Sequence, residues 1–157
     1  MKKIFSVNKA TTTTDIALVI VRIGVAALML THGIPKLVML FSGAPVQFPE
    51  VLGMGAEFSL ALAVFAEVFC SILLLVGFAT RLAVIPLAIT MLVAVFLIHA
   101  ADTLSVKEPA LHYLLVYIVL LLAGGGKYSM DYVLQLKWAT TSYRNQKVQD
   151  PALNLTR

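Results

Sequence analysis

Long apolar runs dominate the chain, and four of them are candidates for membrane spans. They cover about residues 16–40, 58–78, 82–100 and 108–126. A helix needs about 20 mostly apolar residues to cross a bilayer. The runs are rich in Leu, Val, Ile and Ala, are too long for strands, and lack the alternating pattern of a transmembrane barrel. The pattern therefore predicts an all-α fold, a bundle of four transmembrane helices.

The segments around these runs define the expected domain organisation. Residues 1–14 form an N-terminal tail, 15–138 a single membrane domain, and 139–157 a polar C-terminal tail. Three glycines at 124–126 are expected to end the fourth helix. Ser129 is then the predicted cap of a short helix that runs to about Trp138 and lies on the cytoplasmic surface of the membrane.

Composition and charge exclude several classes of protein. The chain is 60% hydrophobic and 13% charged, with a mean hydropathy of +0.92, whereas soluble domains are about 45–50% apolar and about 25% charged. A single cysteine, Cys70, excludes an intramolecular disulfide and a cysteine-based metal cluster. In a membrane protein, the formal charge of +4 indicates first which side of the membrane each segment faces, and not nucleic-acid binding.

Basic residues predict the orientation. Under the four-span topology, nine Lys and Arg residues fall on the side of the termini and two on the other. The nine are Lys2, Lys3, Lys9, Arg81, Lys127, Lys137, Arg144, Lys147 and Arg157, and the two are Lys36 and Lys107. The positive-inside rule then places both termini in the cytoplasm, in a bacterial plasma (inner) membrane. No small-residue cleavage site follows the first apolar run, so we expect that run to be retained.

Ionisable residues inside spans are costly and normally face the bundle interior. Arg22 lies about 9 Å into the first span, and Glu67 lies about 16 Å from the cytoplasmic end of the second. We therefore predict a buried ion pair between Arg22 and Glu67, although Arg22 can instead extend alone to the headgroups. The pair can fix helix register without any chemistry. A second pair, Arg81 with Asp131, is expected at the cytoplasmic face.

All three histidines fall near the other end of the spans. His32, His99 and His112 come from three different helices, and either a polar pocket or ordinary helix-end polarity accounts for them. The predicted ligand-binding or proton-relay residues are His32, Lys36, Glu67, His99 and Glu108, which would line one outward-opening pocket with Glu67 at its floor. His112 is the weakest member. No metal site is predicted, because no His-x-x-x-His spacing is present.

Several short stretches, taken in order, resemble the DoxX family of small bacterial membrane proteins. They are VRIG at 21–24, HGIPK at 32–36, GFATR at 77–81 and GGGKYSMD at 124–131, together with Glu67, His99 and Glu108. The resemblance covers roughly residues 15–135. It implies a four-helix inner-membrane protein associated with oxidoreductase systems. The related DoxD proteins are a subunit of thiosulfate:quinone oxidoreductase, and other DoxX proteins are described as membrane partners of redox enzymes.

Two classes of function follow. One is a membrane subunit or partner of an oxidoreductase, in which His32 or His99 bonds a quinone, Lys36 favours its reduced anion and Glu67 relays protons. The alternative is a non-catalytic small-molecule transporter or a membrane assembly or scaffold protein. Four spans without a repeat lack the usual transporter architecture unless the chain forms a homo-oligomer. The cofactor that this hypothesis implies is a quinone. No catalytic residue is assigned, and the protein is expected to lie in a lipid bilayer.

The predicted orientation is tested by accessibility of introduced cysteines. In a Cys70→Ala background, Gln47→Cys should react with a membrane-impermeant thiol reagent on intact cells, because the 42–57 connection faces outward. Gln149→Cys should react only after the membrane is permeabilised. Labelling at position 149 and not at 47 on intact cells would reverse the orientation.

Overall fold

The computed structural model is a bundle of helices. It describes the backbone of residues 12–149 and the side chains of residues 12–141. The helices are α1 (Thr12–Phe41), α2 (Ala56–Val76), α3 (Thr80–Ile98), α4 (Leu104–Ala123) and α5 (Met130–Gln149). The first four are long and apolar enough to cross a membrane, and the described residues contain no strand. The predicted all-α fold with four candidate spans is therefore confirmed.

The four long helices pack in a ring in chain order. The main contacts join α1 to α2, α2 to α3, α3 to α4, and α4 back to α1. The core inside the ring is apolar and includes Met29, Leu74, Leu87 and Leu120, each at most 1% exposed. A tight turn between α2 and α3 makes these two helices antiparallel neighbours.

The outward faces of the ring are apolar as well. Ile20, Phe96 and Leu115 are each more than 60% exposed. Soluble proteins rarely expose continuous apolar surface of this extent. Helices that are hydrophobic all round are typical of membrane spans, so these faces are suited to contact lipid.

The bundle has two chemically different ends. We call one the junction end; it contains the start of α1, the turn 77–79 and the loop 124–129. We call the other the loop end; it contains the connection 42–55 and the loop 99–103. The residues that the sequence analysis selected fall into these two groups.

Several predicted boundaries need correction. α1 begins at Thr12, within the predicted tail, and α4 covers Leu104–Ala123 where 108–126 was expected. Gly124 ends α4 because its φ of 80° is unfavourable for other residues. α5 continues to Gln149, well past Trp138, because residues 139–149 contain neither glycine nor proline. Residues 1–11 and 150–157, and with them parts of both predicted tails, lie outside the described residues.

Close approach of α1 to α2 fixes the register at the loop end. α2 contains a π-helical turn, Phe65–Cys70, of the kind frequently found at functional sites. Gly33 lies against this turn. A Cβ at position 33 would lie 2.8 Å from Cγ2 of Val68 and 3.0 Å from the carbonyl carbon of Glu67. The two backbones can therefore approach this closely only because residue 33 has no side chain.

Substitution of Gly33 should separate α1 from α2. Gly33→Ala is expected to destabilise the protein by about 1–3 kcal/mol, because the added methyl overpacks the contact. Gly24→Ala is a matched control in the same helix, since nothing lies within 4 Å of the corresponding Cβ. It should be neutral or slightly stabilising. Thermal unfolding of the purified variants in detergent measures both effects. Equal melting temperatures of Gly33→Ala and Gly24→Ala would contradict the importance of the contact at Gly33.

Candidate functional site

A buried carboxylate is the centre of the loop end. The side chain of Glu67 is 2% exposed, and its Oε1 lies 2.5 Å from Nζ of Lys36. Lys36 follows Gly33 by about one turn of α1, so the close helix contact at Gly33 brings the ammonium to the carboxylate. The Lys36 side chain is 29% exposed. The pair thus joins a buried anion to a cation that is in part accessible.

The predicted ion pair between Arg22 and Glu67 is wrong. Arg22 is 3% exposed and donates hydrogen bonds from Nη1 to the carbonyl oxygen of Gly125 and from Nη2 to that of Tyr128, each 2.9 Å long. Its guanidinium therefore holds the loop 124–129 against α1. The alternative, in which Arg22 extends to the headgroups, is also wrong, because the side chain is enclosed by the protein.

Depth explains the wrong pairing. Arg22 is level with Gly77 at the end of α2, since a Cβ on Gly77 would overlap Nη1 of Arg22. Glu67 is level with Gly33, which comes eleven residues after Arg22 in the sequence. That separation is about 16 Å along a helix, more than an arginine side chain can cover.

Asp131 and Arg81 both lie at the junction end, Asp131 at the start of α5 and Arg81 at the start of α3, and their pairing stays a prediction. The Asp131 carboxylate is 3% exposed and accepts hydrogen bonds from the backbone N–H groups of Ala79 (2.6 Å) and Thr80 (2.9 Å), at the start of α3. Arg81 donates from Nη2 to the carbonyl oxygen of Leu122. Asp131 thus caps α3, a role that the sequence analysis did not assign to it.

A further ion pair closes the junction end. Nζ of Lys127 lies 3.1 Å from Oδ2 of Asp15, and the backbone N–H of Lys127 donates to Oδ1 of the same carboxylate. Asp15 is fully buried although it lies in the first turn of α1. This pair was not predicted, because Asp15 lies at the boundary of the expected polar tail.

A cavity of about 420 Å³ lies at the loop end, next to the Lys36–Glu67 pair. Its walls come from Lys36 of α1, from α2, from α3 and from the connection 42–55. Most of the lining is aliphatic, and the polar lining residues are Lys36, Ser59, Glu67, Thr90 and His99. The margin includes Leu62 and Ile89, which are 44% and 54% exposed, so the cavity adjoins the lipid-facing surface between α2 and α3.

The connection 42–55 forms one wall of the cavity. The Phe48 ring lies 5.7 Å from Nζ of Lys36, within the range of a cation–π contact. The backbone N–H of Val51 donates to Oγ of Ser59, which itself donates to the carbonyl oxygen of Gly55. Phe48 and Ser59 were not among the predicted site residues. The signal in the sequence for a connection that packs on the bundle was the apolar residues between its prolines and glycines.

The predicted histidine pocket is only in part present in this geometry. His99 lines the cavity together with Lys36 and Glu67, whereas His32, Glu108 and His112 do not. His32 is exposed and meets the edge of the Tyr113 ring, with centroids 6.0 Å apart. Glu108 and His112 are exposed on α4. The reason is that the cavity opens between α2 and α3, on the side of the ring away from α4.

Buried hydroxyl groups occur below the cavity. Ser71 and Tyr117 are fully buried, and their hydroxyl oxygens have no hydrogen-bond partner among the described residues. The Oε2 atom of Glu67 is also without one. The Tyr117 ring stacks on Tyr113, with centroids 6.2 Å apart. Such unpaired buried polar atoms are uncommon in proteins. Together these groups make the interior around Glu67 more polar than its aliphatic surroundings.

Comparison with known proteins agrees with this architecture. The family model described as DoxX matches residues 17–100, more than half of the chain. The chain belongs to the DoxX family. No curated protein and no solved structure gives a significant match. The DoxX match runs from α1 to Ala100 and therefore contains the Lys36–Glu67 pair and all the lining residues of the cavity.

Ligating side chains are not clustered in the described part of the chain. No group of three or more His, Cys, Asp or Glu side chains in that part is arranged to hold a metal ion. Cys70 is free and buried, in the core beside Met29 and Leu74. What the cavity offers chemically is hydrogen bonding and charge: an ammonium, a carboxylate, an imidazole and two hydroxyl groups.

A pair of double-mutant cycles separates the observed pair from the predicted one. Lys36→Met is expected to destabilise the protein by at most about 3–5 kcal/mol, because it leaves the Glu67 carboxylate buried without its cation. Lys36→Met combined with Glu67→Leu should cost less than the sum of the single changes. Arg22→Leu combined with Glu67→Leu should be additive. Thermal unfolding in detergent measures the stability of all five variants. The observed contacts would be contradicted if Arg22 and Glu67 were coupled and Lys36 and Glu67 were not.

Proposed function

We propose that this DoxX protein is a membrane subunit or partner of an oxidoreductase system that binds a quinone in the cavity at the loop end. The observation that carries the proposal is the combination of an aliphatic cavity next to the lipid-facing surface with a buried charged pair at one side. A volume of about 420 Å³ falls in the usual range of ligand sites, about 300–1,000 Å³. A quinone needs such a site, since its tail is lipid-soluble and its headgroup forms hydrogen bonds.

Each polar lining residue has a proposed role. Lys36 uses one of its three N–H donors on Glu67, and another is available for a headgroup oxygen. The positive charge of Lys36 favours a reduced, anionic headgroup. Glu67 exchanges protons with the headgroup through Lys36. His99 bonds the headgroup from the start of the loop 99–103.

The surroundings of the protein belong to the proposal as well. The excess of Lys and Arg predicted for the junction end favours a bacterial plasma membrane with both termini in the cytoplasm. The cavity then lies toward the outer face. The soluble oxidoreductase subunit would contact either face of the bundle. A non-catalytic small-molecule transporter or a membrane assembly or scaffold protein is the alternative, and the following test distinguishes it.

Quinone retained during purification tests the proposal. The protein purified in a mild detergent should contain a quinone at near-stoichiometric amount, identified by organic extraction and mass spectrometry. Ala94→Phe should reduce this amount strongly, because Ala94 lines the cavity and the larger ring occupies its volume. Ala27→Phe is the control, since Ala27 is an exposed residue of α1 outside the cavity.

Three results would count against the proposal. They are a preparation without quinone that also fails to bind added decylubiquinone, equal retention in both phenylalanine variants, and a cavity that retains phospholipid in place of quinone. Proteins that co-purify in the mild detergent show whether an oxidoreductase subunit is present.

A further inference from the structure

His99 links the cavity to a carboxylate outside it. Nδ1 of His99 lies 2.7 Å from Oδ2 of Asp102. His99 lines the cavity and Asp102 does not. The Asp102 side chain is 49% exposed and that of His99 36% exposed. Asp102 therefore acts on the contents of the cavity only through the imidazole ring.

Backbone hydrogen bonds fix the relative position of the two residues. The N–H of His99 donates to the carbonyl oxygen of Ala94 over 2.9 Å, which closes the π-helical end of α3, and the N–H of Asp102 donates to the carbonyl oxygen of His99 over 3.0 Å. Nζ of Lys107 donates to the carbonyl oxygen of Ala100. An exposed ion pair usually contributes little because ordering the side chains costs entropy. Here the turn has already brought the two side chains together.

The contact with Asp102 determines which ring nitrogen carries the proton. A neutral imidazole has one N–H donor and one acceptor nitrogen, whereas a carboxylate only accepts. The proton is therefore assigned to Nδ1 of His99, and Nε2 is left as an acceptor. No described residue bonds Nε2. His99, the first residue after α3, thus brings a hydrogen-bond acceptor to the wall of the cavity, and Lys36 on α1 brings a donor.

We propose that the His99–Asp102 pair makes the cavity selective for a headgroup that carries a hydroxyl group, and thus for a quinol over the corresponding quinone. This inference rests on the proposed function and adds the redox state of the ligand. One quinol hydroxyl donates to Nε2 of His99, and the oxygen of the other accepts from Lys36. A quinone has only acceptor oxygens, so it leaves Nε2 without a partner, and sites built for a hydroxyl discriminate against ligands that lack one.

Asp102 is a positioning residue in this scheme, since it acts through His99. Decylubiquinol and decylubiquinone are the probes, and binding to the purified full chain is measured by equilibrium dialysis without oxygen. A pH of 8 keeps most imidazoles neutral. The wild type should bind the quinol about tenfold more tightly, the size expected for one hydrogen bond to a group otherwise left unpaired.

Variants of Asp102 separate this role from a general effect of charge. Asp102→Ala should bring the two dissociation constants to within about twofold of each other. Asp102→Asn should retain most of the preference, because the amide oxygen still accepts from Nδ1. Glu57→Gln is the matched control, since it removes an exposed carboxylate at the same end of the bundle, away from the cavity. It should leave the preference unchanged.

A measurement without ligand tests the tautomer directly. In protein labelled with ¹⁵N-histidine, His99 is assigned by comparison with His99→Gln. Its signals should show a protonated Nδ1 in the wild type and a mixture of tautomers in Asp102→Ala. A wild type with the proton on Nε2 overturns the inference whatever the binding data show.

The binding results then separate this inference from the proposed function. Equal affinity for quinol and quinone, or a preference that survives Asp102→Ala, overturns the selectivity and leaves the quinone site standing. Failure of the wild type to bind either probe overturns both. A preference for the quinol that Asp102→Ala removes and Asp102→Asn retains supports both.

Discussion

Glu67 holds a carboxylate inside the bundle, and the loop end is arranged to compensate the cost. Taking an ion out of water costs several kcal/mol unless a partner of opposite charge lies close by. Lys36 is that partner, with its Nζ 2.5 Å from Oε1. The ammonium reaches the carboxylate because Gly33 lets α1 touch the π-helical turn of α2. The same contact brings Lys36 to the wall of the cavity.

The junction end solves a similar problem with different chemistry. Arg22 is buried, and backbone carbonyl oxygens of the loop 124–129 accept its hydrogen bonds. Asp131 uses backbone N–H groups at the start of α3 in the same way. Charges of both signs are thus satisfied largely by main-chain atoms, which requires the loop and the turn to keep one conformation. An apolar core that includes Met29 and Leu74 separates this layer from the loop end.

The four spans followed from the sequence because a bilayer demands long apolar helices, and composition alone reveals them. The residues of the candidate site were harder to predict. Lys36, Glu67 and His99 were selected as ionisable groups and all three line the cavity, but the partner of Glu67 depended on where each helix starts and on the π-helical turn. Neither has a clear signal in the residue pattern. His32 and Glu108 were grouped with His99 by depth, and depth does not indicate which pair of helices a cavity opens between.

The position of the cavity at one end of the helices has a consequence for how a ligand arrives. Because the cavity adjoins the lipid-facing surface between α2 and α3 at the loop end only, a lipid-soluble ligand would enter it from the leaflet on that side. A molecule with a charged phosphate head crosses between leaflets slowly, whereas a neutral headgroup on a hydrocarbon tail crosses readily. The bilayer itself therefore limits which compounds can reach the cavity. Compounds made or reduced at the opposite face reach the cavity only if they are free to exchange between the two leaflets.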